Sequence, residues 1–234
     1  MLMRLTVKAL CLVLCWPAAA WAARPFITDD ARLTTAGSCQ VETWSRRYSD
    51  RSENWALPAC NPTGNLEITA GGAALRGADP AQSTDVVVQI KTLFKSLPAD
   101  GWGAGVALGH LRQRPHAPAG VEQGQTYLYV PVSVSFGNGR WVTHTNLGWS
   151  RDRASGQDQL TWGMGLEMQL HQRWMWIGET FGNDRQQPFW QTGLRYQVVP
   201  DRLQVDTTWG APLGWRSSQN WLSFGLRWTP EKFP

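Results

Sequence analysis

The sequence predicts an all-β fold: a transmembrane, antiparallel, up-and-down β-barrel of about twelve strands. Three observations carry that expectation. Strand-length segments alternate apolar and polar residues. An export signal precedes them. Tight turns alternate with longer polar loops between them. The alternation is clearest where Leu160, Trp162, Met164, Leu166, Met168 and Leu170 share one face, and Thr161, Gly163, Gly165, Glu167 and Gln169 share the other. A period of two puts the two sets on opposite sides of a strand. A water-soluble barrel turns its apolar side inward. A membrane barrel turns it outward.

The N-terminus favours the second arrangement. Arg4 and Lys8 precede an apolar run over 9–16, and Ala20 and Ala22 form an A-x-A signal. Cleavage is therefore expected between Ala22 and Ala23, with residues 1–22 as a signal peptide. The run is too short to cross a bilayer as a helix. Cys15 raises the question of lipidation, but Leu14 is bulkier than the small residue such signals carry before the cysteine. No later stretch reaches about 18 consecutive apolar residues. Residues 23–37 then read as a periplasmic N-terminal segment and 38–234 as a barrel in the bacterial outer membrane.

Strands are expected over 39–47, 52–60, 64–73, 84–95, 101–111, 124–136, 140–151, 157–170, 173–182, 187–199, 202–210 and 219–229. Pro58 falls within the second of these. In the fourth, Val86, Val88, Ile90, Thr92 and Phe94 alternate with Val87, Gln89 and Lys91. In the sixth, Leu128, Val130, Val132, Val134 and Phe136 alternate with Tyr127, Tyr129, Ser133 and Ser135. The tenth sets Trp190, Thr192, Leu194, Tyr196 and Val198 against Gln191, Gly193, Arg195 and Gln197. The last sets Leu222, Phe224, Leu226 and Trp228 against Ser223, Gly225 and Arg227. The ninth leaves two registers open. Met175 and Ile177 share parity with Glu179 and Phe181, and a bulge between Ile177 and Glu179 would put Glu179 inside.

Turn residues follow every even strand: 61–64, 97–100, Gly137-Asn138-Gly139, His171-Gln172 and Pro200-Asp201. The longer connections lie over 77–83, 112–123, 151–156, 182–187 and 210–218. This sorting suits an outer-membrane barrel, whereas a Greek-key sandwich has no reason for it. An even strand number puts both termini on the short-turn, periplasmic side. Cys39 and Cys60 then meet at the ends of neighbouring strands, so a disulfide is expected there. Trp102, Trp141, Trp149, Trp174, Trp190, Trp209, Trp221 and Trp228 lie near strand ends, where aromatic girdles belong.

Charge is modest: Lys+Arg 22 against Asp+Glu 18 gives +4, and two of the positive residues leave with the signal. The bases are scattered, so no nucleic-acid partner is expected. The lumen set is mixed in sign. Its lining candidates are Glu42, Glu67, Gln89, Lys91, His144, Glu167, Glu179, Arg195 and Arg227. They read either as a ligand path or as ion pairs that fill the barrel, because buried charges need partners. His110, His116, His144 and His171 are the histidines, and only His144 sits mid-strand. No G-x-S-x-G elbow and no metal-ligand spacing accompanies them, so no catalytic residue, metal or cofactor is expected. Asp29-Asp30 reads as a polar turn in the leader, tucked against the barrel base, because adjacent side chains usually point apart.

The segments Arg24-Pro25-Phe26-Ile27-Thr28-Asp29-Asp30-Ala31, Gly37-Ser38-Cys39-Gln40-Val41-Glu42-Thr43-Trp44 and Val88-Gln89-Ile90-Lys91-Thr92-Leu93-Phe94 resemble the phenol-degradation meta-pathway outer-membrane family of transporter-like β-barrels. The resemblance implies a barrel that passes small hydrophobic or aromatic solutes, and no residue-level mechanism. The ending departs from the usual barrel signal: Trp228 is the last strand aromatic, and Thr229-Pro230-Glu231-Lys232-Phe233-Pro234 extends past it. Expected partners are outer-membrane lipid, the outer-membrane assembly machinery and a small-molecule solute. A channel is the first reading. A closed structural or binding barrel, a lipid-modifying enzyme and a periplasmic β-protein with an apolar interior are the alternatives.

Overall fold

The structure is a computed structural model that describes residues 27–77, 83–115, 123–214 and 219–230. Within them, twelve antiparallel strands close into one barrel, each paired with its chain neighbours and the first with the last. They are β1 (Ser38–Arg47), β2 (Arg51–Asn61), β3 (Glu67–Gly77), β4 (Ser83–Lys95), β5 (Gly101–Pro115) and β6 (Gln123–Phe136). The second half comprises β7 (Trp141–Asp152), β8 (Asp158–His171), β9 (Trp174–Asn183), β10 (Phe189–Val199), β11 (Leu203–Pro212) and β12 (Trp221–Trp228).

The start of β3 shifts from the expected boundary: it begins at Glu67 rather than at residue 64. The Asn61 side chain causes it. Its Oδ1 accepts the Gly64 N–H at 2.9 Å and the Leu66 N–H at 3.4 Å, so the chain stays in a turn before the ladder resumes. On one rim the connections are 62–66, 96–100, 137–140, 172–173 and 200–202. On the other, 48–50 is as short as 200–202, so the expected sorting of loop lengths is incomplete. The expected loop over 112–123 also shrinks, because β5 runs on to Pro115 and β6 begins at Gln123. Ladder pairing absorbs those backbone groups.

The two faces are inverted relative to a soluble protein. Val88, Val130, Leu147, Met164 and Phe224 are exposed on the outside, whereas Ser133, His144, Glu167, Arg195 and Gln204 are buried inside. Trp102, Trp174, Trp209 and Trp228 are exposed near strand ends, as a girdle requires. Trp221 is a correction: it is 3% exposed and faces inward. It shares parity with Ser223, Gly225 and Arg227, and it stacks over Gly210, where a Cβ would come within 2.2 Å of the indole. β9 needs no bulge either. Its register with β10 is unbroken from Phe181 to Trp174, so Met175, Ile177 and Glu179 all face inward.

Cys39 and Cys60 are directly opposed in the β1–β2 ladder, with Cα atoms 4.0 Å apart, and form a disulfide. The expected signal peptide and cleavage point at Ala22 and Ala23 lie outside the described residues.

Candidate functional site

The lumen is occupied by the chain's own N-terminal segment. Residues 27–37 enter from the short-turn rim beside β1 and run up inside the wall; they do not lie beneath the barrel. Thr28, Asp30, Ala31, Leu33 and Thr34 are all buried. At the base, Gly37 N–H donates to Asn61 O at 2.8 Å, and Asn61 Nδ2 donates to Thr34 O at 2.7 Å. Higher up, Thr34 N–H donates to Glu67 Oε2 at 2.7 Å and Ala31 N–H to Ser133 Oγ at 2.9 Å. The Asn146 amide brackets Asp29, donating to its carbonyl at 2.9 Å and accepting its N–H at 2.7 Å in the orientation that satisfies both groups. At the first described residues, Ile27 N–H and Thr28 N–H each donate to one oxygen of Glu179 at 2.8 Å. The segment makes no ladder, so side chains of the wall take over the pairing that its backbone requires.

Charges fasten the same segment. Lys91 Nζ donates to both Asp29 oxygens, at 2.8 and 3.0 Å, and lies 3.6 Å from Asp30. Tyr129 Oη donates to Asp29 at 2.7 Å. Arg32 bridges Asp30 at 3.2 Å and Glu167 at 3.1 Å, and Arg195 bonds the other Glu167 oxygen at 2.7 Å. The adjacent Asp29 and Asp30 were expected to point apart. They converge on Lys91 because Asp30 Oδ1 accepts the Arg32 N–H at 3.1 Å, which bends the chain out of an extended conformation.

All nine lining candidates face inward. Glu67, Lys91, His144, Glu167, Glu179, Arg195 and Arg227 are buried. Gln89 is half-buried and accepts from Tyr127 at 3.0 Å, with Tyr129 Oη 3.2 Å away. Glu42 is half-buried opposite Arg227. The inward bases face acids throughout. Arg46 bonds Glu53 at 3.6 Å, Lys91 stands opposite Glu67, and Arg195 lies between Glu167 and Asp206. Asn61, Ser133, Tyr129 and Asn146 were not among the sequence candidates, yet they hold the plug. Their signal was weak: small and polar residues on lumen parity, opposite glycines such as Gly163 that leave space in the wall.

Ser133 Oγ lies 2.8 Å from His144 Nδ1, and His144 Nε2 is 3.7 Å from Glu167. The succession resembles a hydrolytic triad, but its chemistry points to anchoring. Ser133 Oγ already accepts the Ala31 N–H, and Glu167 is committed to two arginines. Those engagements remove the free nucleophile and the free orienting carboxylate that a triad needs. Among the described residues, no group of three or more His, Cys, Asp or Glu is placed to hold a metal ion. His110 bonds Thr126 at 3.0 Å, and His116 lies outside the described residues.

The two halves of the lumen differ. Toward the short-turn rim, a cavity of about 850 Å³ opens alongside residues 31–36 of the plug, with Leu97, Arg140, Glu167, Gln169 and Met175 among its wall residues. Toward the loop rim the wall is aromatic. Trp44 and Trp55 stack at 5.3 Å, Phe181 and Phe189 at 5.8 Å, and Trp221 lies 5.8 Å from Phe189 and 5.9 Å from Tyr48.

The chain belongs to the family described as "Uncharacterised conserved protein UCP029691", whose model matches residues 10–228. No curated protein matches it. Among solved structures, it is similar to a KdgM porin in complex with disordered oligogalacturonate, with a TM-score of 0.63 and 8% identity over 81% of this chain and 98% of that one. It is also similar to a NanC porin, with a TM-score of 0.56 and 13% identity over 83% of this chain and 100% of that one. An outer membrane channel from Pseudomonas putida F1 gives a TM-score of 0.54 and 10% identity, covering 86% of this chain and 97% of that one. At such identities the likeness is one of fold.

Proposed function

We propose that this member of that family is an outer-membrane channel for small solutes, closed at rest by its own N-terminal segment. The observation that carries the reading is the plug over 27–36. Well-separated wall residues hold it, Glu67, Lys91, Ser133, Glu167 and Glu179 among them, and the wall leaves room for it. Small glycines at Gly163 and Gly165 stand where larger side chains could have filled the barrel themselves. Opening is then the withdrawal of the segment toward the short-turn rim, where the cavity alongside residues 31–36 gives it room to move. The apolar exterior supports insertion in lipid, and the porin-like fold supports transport.

The resemblance to the phenol-degradation meta-pathway family suggests small hydrophobic or aromatic solutes. The aromatic wall of Trp44, Trp55, Phe181, Phe189 and Trp221 supports that choice in the outer half. A second reading, a permanently closed barrel that binds without conducting, is favoured by the wall side chains that pair the backbone N–H groups of Ile27, Thr28, Ala31 and Thr34.

A cross-link separates the two. The Thr28 Cβ lies 3.2 Å from the position of a Cβ at residue 163, a few tenths of an ångström inside the usual disulfide span. Thr28→Cys with Gly163→Cys should abolish single-channel conductance in planar bilayers when oxidised, and dithiothreitol should restore it. Equal conductance in both states sinks the plug gate. Silence in both states, with the barrel folded, favours the closed barrel.

A further inference from the structure

The contact of Ile27 and Thr28 with Glu179 shows what kind of molecule could replace this end of the described segment. Glu179 takes the Ile27 N–H on Oε1 and the Thr28 N–H on Oε2, both at 2.8 Å. Two N–H donors spread over the two oxygens of one carboxylate are what a guanidinium or amidinium group presents. Gln191 Nε2 donates to the same carboxylate, and Gln191 Oε1 accepts from Thr208 at 3.0 Å and from the Trp221 indole at 3.4 Å. The carboxylate is thus fixed to the aromatic wall above it. Phe181 shares the Glu179 face one step nearer the loop rim, and Phe189 and Trp221 close the corner.

Ring faces attract cations, and this wall already holds one. The Arg46 guanidinium lies 5.3 Å from the Trp221 centroid, with Glu53 neutralising it. The wall as a whole is acid-rich. Each inward base has an acid against it, and Asp85 and Glu179 stand outside those pairs as buried acids. In the plugged state, backbone N–H groups supply the positive end of the Glu179 contact. Once Ile27 and Thr28 withdraw, that role falls to whatever enters from the loop rim.

We infer that Glu179, Phe181, Phe189 and Trp221 form a binding site for a small organic cation with paired N–H donors on a planar or aromatic frame. Such a cation displaces Ile27 and Thr28 from Glu179. The inference rests on the plug being displaceable, as in the reading above.

Benzamidinium and its neutral counterpart benzamide test it, because they share shape and differ in charge and donor number. Each is titrated into the detergent-solubilised full chain, following tryptophan fluorescence. Benzamidinium should bind at least tenfold tighter than benzamide. Glu179→Gln should weaken benzamidinium at least tenfold and leave benzamide unchanged. Oxidised Thr28→Cys with Gly163→Cys should block benzamidinium, because this part of the plug can no longer leave. Equal affinity for the two compounds in the unmutated chain overturns the inference whether or not the Glu179 variant folds. So does benzamidinium binding that is indifferent to Glu179→Gln. These outcomes are separate from the gate itself. If conductance responds to the cross-link while the two compounds bind alike, the gate stands and the cation site falls. If benzamidinium binds selectively in a barrel that never conducts, the site stands and the channel falls.

Discussion

Replacing Asp29 with alanine should open the barrel without touching its wall. Asp29 accepts from Lys91 Nζ at 2.8 and 3.0 Å and from Tyr129 Oη at 2.7 Å. Removing one partner of a buried ion pair costs about 3–5 kcal/mol. Two features of this site reduce that figure. The Asp29 side chain is 21% exposed, and Lys91 keeps the Asp30 carbonyl at 3.2 Å and the Asp30 carboxylate at 3.6 Å. A loss of about 2–3 kcal/mol remains, and it falls on the plugged state alone, because Lys91 regains water when the plug leaves. At about 1.4 kcal/mol per decade, the ratio of open to closed barrels should rise roughly 30- to 150-fold. Single-channel recording in planar bilayers reads that ratio as open probability. Asp29→Asn, which keeps the shape and an acceptor for Tyr129, should fall between the parent and the alanine variant. If Asp29→Ala stays within threefold of the parent while the barrel remains heat-modifiable on gels, the Lys91–Asp29 contact does not hold the gate.

Two further perturbations test the frame around the plug. Val130→Arg places a charge on the outward face of β6, where Val130 is 41% exposed. It should cost about 2–4 kcal/mol in urea unfolding from lipid vesicles, against about 0.5 kcal/mol or less at a water-exposed site, and the smaller value would refute a lipid-facing surface. Removing the disulfide by Cys39→Ala with Cys60→Ala frees a loop whose ends are 21 residues apart. That should lower stability by about 3 kcal/mol and lower the temperature at which the folded gel band disappears. An unchanged temperature would mean that the flanking ladders alone fix the β1–β2 pair.

The barrel was legible because strand alternation is a local signal, written into every second residue. So was the disulfide, since Cys39 and Cys60 follow from strand order and direction. The plug was not legible, for a physical reason. Residues 27–37 have no period, and their partners lie far along the chain, with Glu179 more than 150 residues from Thr28. Nothing near Asp29 in sequence announces Lys91. An open question and an error share that root. Ile177 on the inside left the register of the ninth strand open, and Trp221 was read as part of a girdle, because an aqueous lumen would reject both. A lumen occupied by the chain's own segment, with an aromatic upper wall, accepts them: Ile177 is 1% exposed and Trp221 3%. What the sequence did carry was a hint of missing volume. Gly163 faces inward where a Cβ would meet Thr28 Oγ1 at 2.4 Å, and a run of inward glycines asks what occupies the space.

The composition of the plug argues for a gate over a filler. A permanent filler would be expected to bury large apolar side chains, whose return to water is costly in every state. This segment buries little of that kind. Among the described residues, Ala31 and Leu33 are its buried apolar residues, and Ile27 is 46% exposed. Burying one leucine-sized side chain contributes about 1.5–3 kcal/mol. The remaining contacts are hydrogen bonds and ion pairs, which exchange for water and other partners when the segment withdraws, so their net contribution is a small difference between large terms. Such contacts discriminate strongly between complete and incomplete pairing. A ligand that supplies donors to Glu179, or acceptors to Lys91, meets the need that the plug otherwise meets and lowers the cost of releasing it. Closure built from partners that a solute can replace is closure that a solute can undo. A lumen sealed by its own leucines would have no such dependence.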